Sequence, residues 1–368
     1  MKIEKINVYL LEKALSSTMR ISRGGFKVRR HAVVEIITDD GVVGVGEGVG
    51  DAIRIKSALD NHICQKLIGL DPFNIHNVKT NILGSDVYYE GMGTILSAMS
   101  AVEMACWDIK GKALNLPIHT LLGGKEFNEL NMYASDIYWE SDPVKMANNA
   151  MRICESGFNS IKIHVGVEDP KSEEIRIREI RKTIGDKINL MIDLNAGYSL
   201  IESIEAYNRW SQYNLYWIEE PLSPENCHAL NMLSPHVSCA IAVGENITGL
   251  NSFKNTLDTN TIDILMPDIG RVGGIEETCK VFDLASAYGC SVSPHNYSSG
   301  IILAATIQVM ASRNNSHFLE YDTSKNAVYE ELMGDALMFD NGILTVPDEP
   351  GLGVNLTSEI INKYQAVN

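Results

Sequence analysis

From residue 130 to residue 322 the sequence alternates short apolar runs with longer amphipathic segments, and this alternation limits the fold more than any other feature. Short apolar runs predict strands, and apolar residues at helical spacing predict helices. One helix is predicted to begin at Ser141 or Asp142, with Pro143 in its first turn, and to end at Gly157. The predicted strands are LNMYAS, SIKIHVG, NLMIDLN, YWIEEP, CAIAVGEN, IDILMPDIG, CSVSPHN and SHFLEYD.

Eight strand and helix units in roughly two hundred residues fit an α/β chain with a (β/α)8 TIM-like barrel better than an open, doubly wound sheet. Before the barrel, HAVVEIITDDGVVGVGEG predicts an antiparallel hairpin that turns at Asp40 and Gly41, and residues 95–116 predict a helix. We therefore expect an α+β domain at 1–126, the barrel at 127–335, and a tail at 336–368 that returns to the first domain.

Composition and charge exclude several classes of protein. The chain has 368 residues and a net charge of −16, which disfavours a nucleic-acid partner. No apolar stretch approaches the roughly 18 residues of a membrane span, and MKIEKINVYLLEK lacks the pattern of a secretion signal, so we expect a cytoplasmic protein. The seven cysteines form no CxxC pair, which argues against disulfides or structural zinc. The glycines between positions 41 and 50 do not complete G-x-G-x-x-G, so dinucleotide binding is disfavoured.

Polar side chains stand at the ends of most predicted strands. A barrel carries its active site at the carboxyl ends of its strands, so these residues are expected to converge. Any one of them alone would more often be part of a buried ion pair, but their recurrence favours a functional site. The set is Lys162, His164, Asp193, Asn195, Glu219, Glu245, Asp268, His295, Glu320 and Asp322.

Asp193, Glu219 and Glu245 are separated by 26 residues each, which is one strand and helix repeat. Three carboxylates at one level of adjacent strands cannot all remain ionised without a compensating cation. Hard oxygen ligands favour Mg²⁺, with Mn²⁺ second and Zn²⁺ disfavoured. An ion-pair network with basic neighbours is the alternative.

Candidate bases flank these acids in strand order. Lys162 and His164 precede them and His295 follows, with Asp268 one strand away and able to orient the His295 imidazole. A metal between two bases suits removal of the proton next to a carboxylate, because the metal and cationic groups stabilise the enolate. The alternative for His164 is a buried core histidine, and the alternative for Lys162 is a lysine that extends to solvent.

Several ordered motifs resemble the mandelate racemase subgroup of the enolase superfamily. They fall on successive predicted strands and cover almost the whole chain. They are KIH (162–164), DLNAG (193–197), WIEEP (217–221), GEN (244–246), MPDIGRVGG (266–274), SPHN (293–296) and FLEYD (318–322), with WDIKGKALNLPIHTLLGG (107–124) and VPDEPGLGV as further landmarks.

The resemblance implies a barrel covered by a capping domain, which is built from the N-terminal segment and the C-terminal tail, and it implies a homo-oligomer. It implies Mg²⁺ on the three acids, a dyad of His295 with Asp268, and abstraction of the α-proton of a small carboxylate substrate. It assigns Glu320 to the substrate carboxylate and Asn195 to a substrate contact. Arg20 and Arg23, in the expected polar capping loop SSTMRISRGG (16–25), would read the distal end of the substrate, and surface charges are the alternative.

Strand two departs from the family pattern. The racemase motif is Lys-x-Lys, whereas here His164 takes the second position and Lys162 keeps the first. Lys162 is then expected to face the carboxylate, with His164 transferring the proton. The reference pKa falls from ~10.4 to ~6.5 with this change, so His164 can act as a neutral base.

The resemblance favours dehydration of a sugar acid to a 2-keto-3-deoxy acid. The alternative is a racemase or epimerase of a 2-hydroxy acid or an amino-acid-like carboxylate, which two opposed bases also allow. Muconate-type cycloisomerisation is disfavoured because Asp268 replaces the lysine that it would need. A non-catalytic carboxylate-binding protein is the alternative from another class.

Overall fold

The computed structural model describes residues 1–84, 91–223, 225–324 and 326–366. Its strands are β1 (Ile3–Ile21), β2 (Gly24–Thr38), β3 (Val43–Gly48), β4 (Glu129–Ile137), β5 (Ser160–His164), β6 (Asn189–Asp193), β7 (Leu215–Glu219), β8 (Ala240–Val243), β9 (Ile264–Leu265), β10 (Ser291–Val292), β11 (Leu319–Tyr321), β12 (Phe339–Asp340) and β13 (Ile343–Thr345). Its helices are α1 (Ala52–Ala58), α2 (Cys64–Leu67), α3 (Ile75–Leu83), α4 (Thr94–Leu114), α5 (Ile118–Leu121), α6 (Pro143–Glu155), α7 (Pro170–Ile184), α8 (Leu200–Trp210), α9 (Cys227–Leu233), α10 (Leu250–Leu257), α11 (Ile275–Ala287), α12 (Gly300–Ala311), α13 (Ala327–Met333) and α14 (Ser358–Tyr364).

The N-terminal residues form a three-stranded antiparallel sheet in the order β1, β2, β3. The β2–β3 hairpin turns at Asp40 and Gly41 as predicted, and Gly41 has the positive φ (83°) that the turn requires. The prediction of a loop at 16–25 is wrong. This segment continues β1 and starts β2, and only the turn at Ser22 and Arg23 separates the two strands.

Strand β3 lies directly against the long helix α4. Three alternate glycines of β3 face the helix, and a Cβ atom at any of them would collide with a carbonyl oxygen of α4. The intervening side chains, Val45 and Glu47, therefore point away from α4. The glycine and carbonyl pairs are Gly44 with Ala105, Gly46 with Ala101 and Gly48 with Ser97.

The second part of the chain is a parallel sheet in which β4 to β10 are neighbours in sequence order and β11 pairs with β4. All eight predicted strands are present. An isolated parallel bridge connects Val292 of β10 with Ser316, which lies just before β11. Ile161, Ile163 and Val165 belong to the apolar core shared with the helices, as the alternation of side chains predicts.

The C-terminal residues contact both parts. The β12–β13 hairpin adds to β4 in the antiparallel direction, while Gln365, just after α14, forms a bridge with Leu11 of β1. Within the described residues, no two cysteines form a disulfide. Within the described ranges, no helix is long and apolar enough to cross a membrane.

A buried carboxylate connects α4 to the beginning of α11. The Glu103 side chain is fully buried, and its two oxygens accept hydrogen bonds from the backbone N–H groups of Ile275 (2.7 Å) and Glu276 (2.9 Å). Oε1 also accepts from the Trp107 indole at 2.9 Å. Both oxygens are thus surrounded by donors.

We expect Glu103→Gln to destabilise the protein by about 1–3 kcal/mol, because the amide NH₂ places a donor against a donor on one side. Urea-induced unfolding measures the change. Glu349→Gln, the same substitution on an exposed side chain, is the matched control and should be close to neutral. Equal stability of the two variants would contradict the prediction.

Candidate active site

Three carboxylates converge at the carboxyl ends of β6, β7 and β8. Asp193, Glu219 and Glu245 each place an oxygen within 4.8 Å of the others. Asp193 and Glu219 are direct neighbours in the register of β6 and β7, and Glu245 lies two residues beyond β8. The 26-residue spacing in the sequence therefore does bring these side chains together.

Burial and mutual repulsion dominate the electrostatics of this acid cluster. Burial raises the pKa of Glu219 well above its ordinary value; Lys162 opposes the shift and the Asp193 carboxylate adds to it. Burial also raises the pKa of Glu245. Oε2 of Glu219 is buried and has no hydrogen-bond partner among the described residues. The cluster therefore fits a hard divalent cation, which would accept this oxygen as a ligand.

Lys162 lies beside the acid cluster on β5. Its ammonium is 2.9 Å from Oε1 of Glu219 and 2.8 Å from Oε1 of Glu320. Burial opposes its charge, but these carboxylates raise the pKa of Lys162 well above the usual value. In return, although burial acts the other way, Lys162 lowers the pKa of Glu320 to about 2. Lys162 is thus a fixed cation.

His164 is held in one tautomer. Its Nδ1 is 3.2 Å from Oδ1 of Asn195 and 3.3 Å from Oδ2 of Asp193, and both oxygens are acceptors. We therefore assign the proton to Nδ1. Nε2 is buried without a partner among the described residues, so it is the nitrogen left for proton transfer.

His295 borders the opposite end of the acid cluster. Its Nδ1 is 2.7 Å from Oδ2 of Asp268, as expected for a dyad, and its Nε2 is 3.3 Å from Oε2 of Glu245. Burial disfavours the imidazolium, but Glu245, Glu320 and Asp268 raise the pKa of His295 to about 10. Both candidate histidines therefore contact a member of the acid cluster.

Sequence reasoning missed the apolar wall that faces these groups. Phe26, Tyr138 and Tyr297 contact one another edge to face, with ring centroids 6.0–6.5 Å apart. Tyr138 also stacks on His164 at 4.7 Å and an interplanar angle of 10°. With Ile21, these side chains close a cavity of about 130 Å³ over the polar residues. A signal existed for Tyr138, because it directly follows β4, the first barrel strand.

Arg20 and Arg23 are exposed and are not among the described residues that line this cavity. The buried arginine of the hairpin is Arg29, which pairs with Asp322 and donates to the Tyr297 hydroxyl. The alternation of β2 could have indicated this, since Arg29 and His31 are buried and Arg30 is exposed.

Two family models match the chain. Residues 5–123 match the mandelate racemase/muconate lactonizing enzyme N-terminal domain, and residues 145–360 match the enolase C-terminal domain-like family. A capping domain followed by a barrel-type domain defines the enolase class of fold. Within that superfamily, the chain belongs to the mandelate racemase/muconate lactonizing enzyme family, as its motifs indicated.

Individual relatives cover most of the chain. D-galactarolactone cycloisomerase of Agrobacterium fabrum is 31% identical, with 99% of each chain covered. D-xylonate dehydratase of Haloferax volcanii is 30% identical, over 90% of this chain and 84% of that protein. A racemase of Streptomyces coelicolor, solved with bound magnesium, superposes with a TM-score of 0.91 at 26% identity, over 99% of this chain and all of the other.

The stack of Tyr138 on His164 should contribute a coupling free energy of about 0.5–1.5 kcal/mol. A double-mutant cycle with Tyr138→Leu and His164→Leu, read by urea unfolding, measures it. Tyr138→Leu combined with His228→Leu at an exposed helix position is the control and should be additive. Additivity in both cycles would contradict the stacked geometry.

Proposed function

We propose that this enzyme uses Mg²⁺ to remove the proton α to the carboxylate of a sugar acid and eliminates the β-hydroxyl as water, giving a 2-keto-3-deoxy acid. The observation that carries the proposal is the acid cluster bordered at both ends by a histidine, His164 beside Asp193 and His295 beside Glu245. The D-xylonate dehydratase relative supports this reaction class.

Asp193, Glu219 and Glu245 would hold the metal. The unpartnered Oε2 of Glu219, the raised pKa values of two of the acids and the magnesium in a related structure support this assignment. The bound ion would neutralise the negative charge that develops on the substrate carboxylate. Asn195 donates to Asp193 at 2.9 Å, so it would orient this ligand as well as contact the substrate.

Lys162 would bind the substrate carboxylate. To do so, its ammonium must turn away from the ionised Glu320. The substrate carboxylate then replaces the Glu320 carboxylate as the partner of Lys162. Glu320 can then take up a proton and donate it in a hydrogen bond to the substrate carboxylate, which is the role that the family resemblance implies. The Glu320 carboxyl group is held in place by the Asn296 N–H, which donates to its Oε2 at 2.8 Å.

Proton transfer falls to the two histidines. One imidazole takes the α-proton, the electron pair forms the enolate, and the C–O bond at the β-carbon breaks. The departing oxygen takes a proton from an imidazolium and leaves as water, and the enol becomes the 2-keto acid. His164 can remove the proton through Nε2, which has no partner among the described residues, while protonated His295 can supply the other. The reverse assignment, with His295 removing the α-proton and His164 protonating the leaving oxygen, uses the same two groups.

A second candidate is ring-opening of a cyclic sugar acid. The leaving β-oxygen then belongs to the ring, so the product is an isomer and no water is released. The cycloisomerase relative and the apolar wall favour it. Buried hydroxyls without partners cost about 1–3 kcal/mol each, and a ring-closed acid presents fewer of them to Ile21 and Phe26.

Mg²⁺ should stabilise the protein, by about 2.7 kcal/mol at a hundred times its Kd, because it binds the folded state only. Thermal unfolding with and without the ion measures this. We expect Glu219→Gln to remove most of the shift and Glu349→Gln to retain it. A wild-type protein with no response to Mg²⁺ would exclude the metal assignment.

His295→Asn should lower kcat by about 10²- to 10⁴-fold while the stabilisation by Mg²⁺ remains. The assay incubates open-chain aldonic and aldaric acids and their lactone or anhydro forms with enzyme, traps 2-keto acids with a carbonyl reagent, and compares the mass of each trapped acid with that of its substrate. His317→Asn, a histidine below the barrel strands, is the matched control. A product of unchanged mass from a ring acid identifies isomerisation, and a loss of 18 Da, the mass of water, identifies dehydration.

Solvent deuterium at the α-carbon with inverted configuration and no keto acid would instead identify the racemase or epimerase alternative. Unchanged turnover in His295→Asn would contradict the assigned role of the dyad.

A further inference from the structure

Glu47 is a fully buried carboxylate of the capping domain that the proposed chemistry does not use. It lies on β3, between glycines whose backbone is fixed against α4, and it points to the opposite side. The same glycine-rich segment was interpreted from sequence only as a hairpin. Its close packing gives Glu47 a rigid support.

Four donors surround the Glu47 carboxylate. Oε1 accepts from Nδ1 of His31 at 2.8 Å and from the Ser298 hydroxyl at 2.5 Å. Oε2 accepts from the Ser299 backbone N–H at 3.3 Å and from the Ser299 hydroxyl. His31 belongs to β2 of the capping domain, whereas both serines belong to the barrel. Glu47 therefore joins the two domains through charge-assisted hydrogen bonds.

The two serines end the segment that carries His295. Residues 293–299 connect β10 to α12 without regular secondary structure, so few ladder hydrogen bonds fix their conformation. The Asn296 N–H is bound by Glu320, and the Ser299 N–H is bound by Glu47. Ser299 is also the N-cap of α12, through its acceptance of the Ile301 N–H. Two buried carboxylates thus hold this segment on either side of Tyr297.

We propose that Glu47, oriented by His31, is a positioning residue that fixes the 293–299 segment and thereby the His295 imidazole against Asp268. The capping domain then contributes to the dyad without touching the substrate. This inference rests on the proposed function only for the catalytic role of His295; the positioning itself can be tested on the protein without substrate.

The first test is a spectroscopic one on Glu47→Gln. The amide can accept on one side only, so it loses either His31 and Ser298 or Ser299 as partners. With ¹⁵N-histidine labelling, the Nδ1–H proton of His295, in its 2.7 Å hydrogen bond to Asp268, should give a downfield resonance. His295→Asn and His31→Asn assign it. We expect this resonance to shift or broaden in Glu47→Gln.

Glu173→Gln is the matched control. Glu173 is an equally buried glutamate, which accepts from the Gly166 and Glu168 N–H groups and so holds the loop after β5. We expect this variant to leave the His295 resonance unchanged. Hydrogen exchange should separate the two, with amides of 296–301 exchanging about tenfold faster in Glu47→Gln and amides of 166–168 in Glu173→Gln.

Ser298→Ala is a milder variant in case Glu47→Gln does not fold, since it removes one donor and leaves Glu47 paired with His31. It should show the same changes at smaller size. If the protein turns over a sugar acid, Glu47→Gln and Ser298→Ala should both lower kcat for that substrate, with KM nearly unchanged. The decrease should be about tenfold for Glu47→Gln.

An unchanged His295 resonance and unchanged exchange at 296–301 in a folded Glu47→Gln protein would overturn the inference, as would an equal response to Glu173→Gln. If the resonance shifts but no sugar acid is turned over, the positioning holds and the proposed reaction is the part that fails.

Discussion

The register of β6 against β7 places the Asp193 and Glu219 carboxylates side by side, and the rest of the site is arranged around the repulsion that results. Glu245 adds a third negative group, while Lys162, His164 and His295 surround the cluster with cations or donors. The carboxylates raise the pKa of both Lys162 and His295, although burial opposes the charge of each. A cation bound at the cluster would compete with these basic groups for the carboxylates, so metal binding would change the partners available to Lys162 and His295.

The capping domain contacts the barrel through several buried polar groups. Glu103 binds the start of α11, Glu47 binds the start of α12, and Arg29 binds Asp322 and Tyr297. These contacts fall within, or at the end of, the connections that follow β9, β10 and β11. The two domains are thus a single functional unit at the strand ends.

The sequence predicted the parts of this structure that depend on local periodicity. Strand positions, the 26-residue spacing of the acids and the proximity of Asp268 to His295 follow from one repeated unit, so a residue's place in the repeat gives its place in space. The apolar wall could not be predicted in this way, because Phe26, Tyr138 and Tyr297 come from three elements with no common period. Arg20 and Arg23 were chosen for being polar in an expected loop, but β1 and β2 continue through it and leave both side chains in solvent.

The polar and apolar sides of the cavity come from different parts of the chain. Most of its ionisable groups stand on barrel strands, whereas Ile21 and Phe26 come from the long β1–β2 hairpin. Substitutions of Ile21 or Phe26 would alter the shape offered to a substrate while leaving the acidic and basic side chains of the cavity in place. The shape of this side of the cavity would therefore depend on residues far in the sequence from the groups that transfer protons, so a change in one need not change the other.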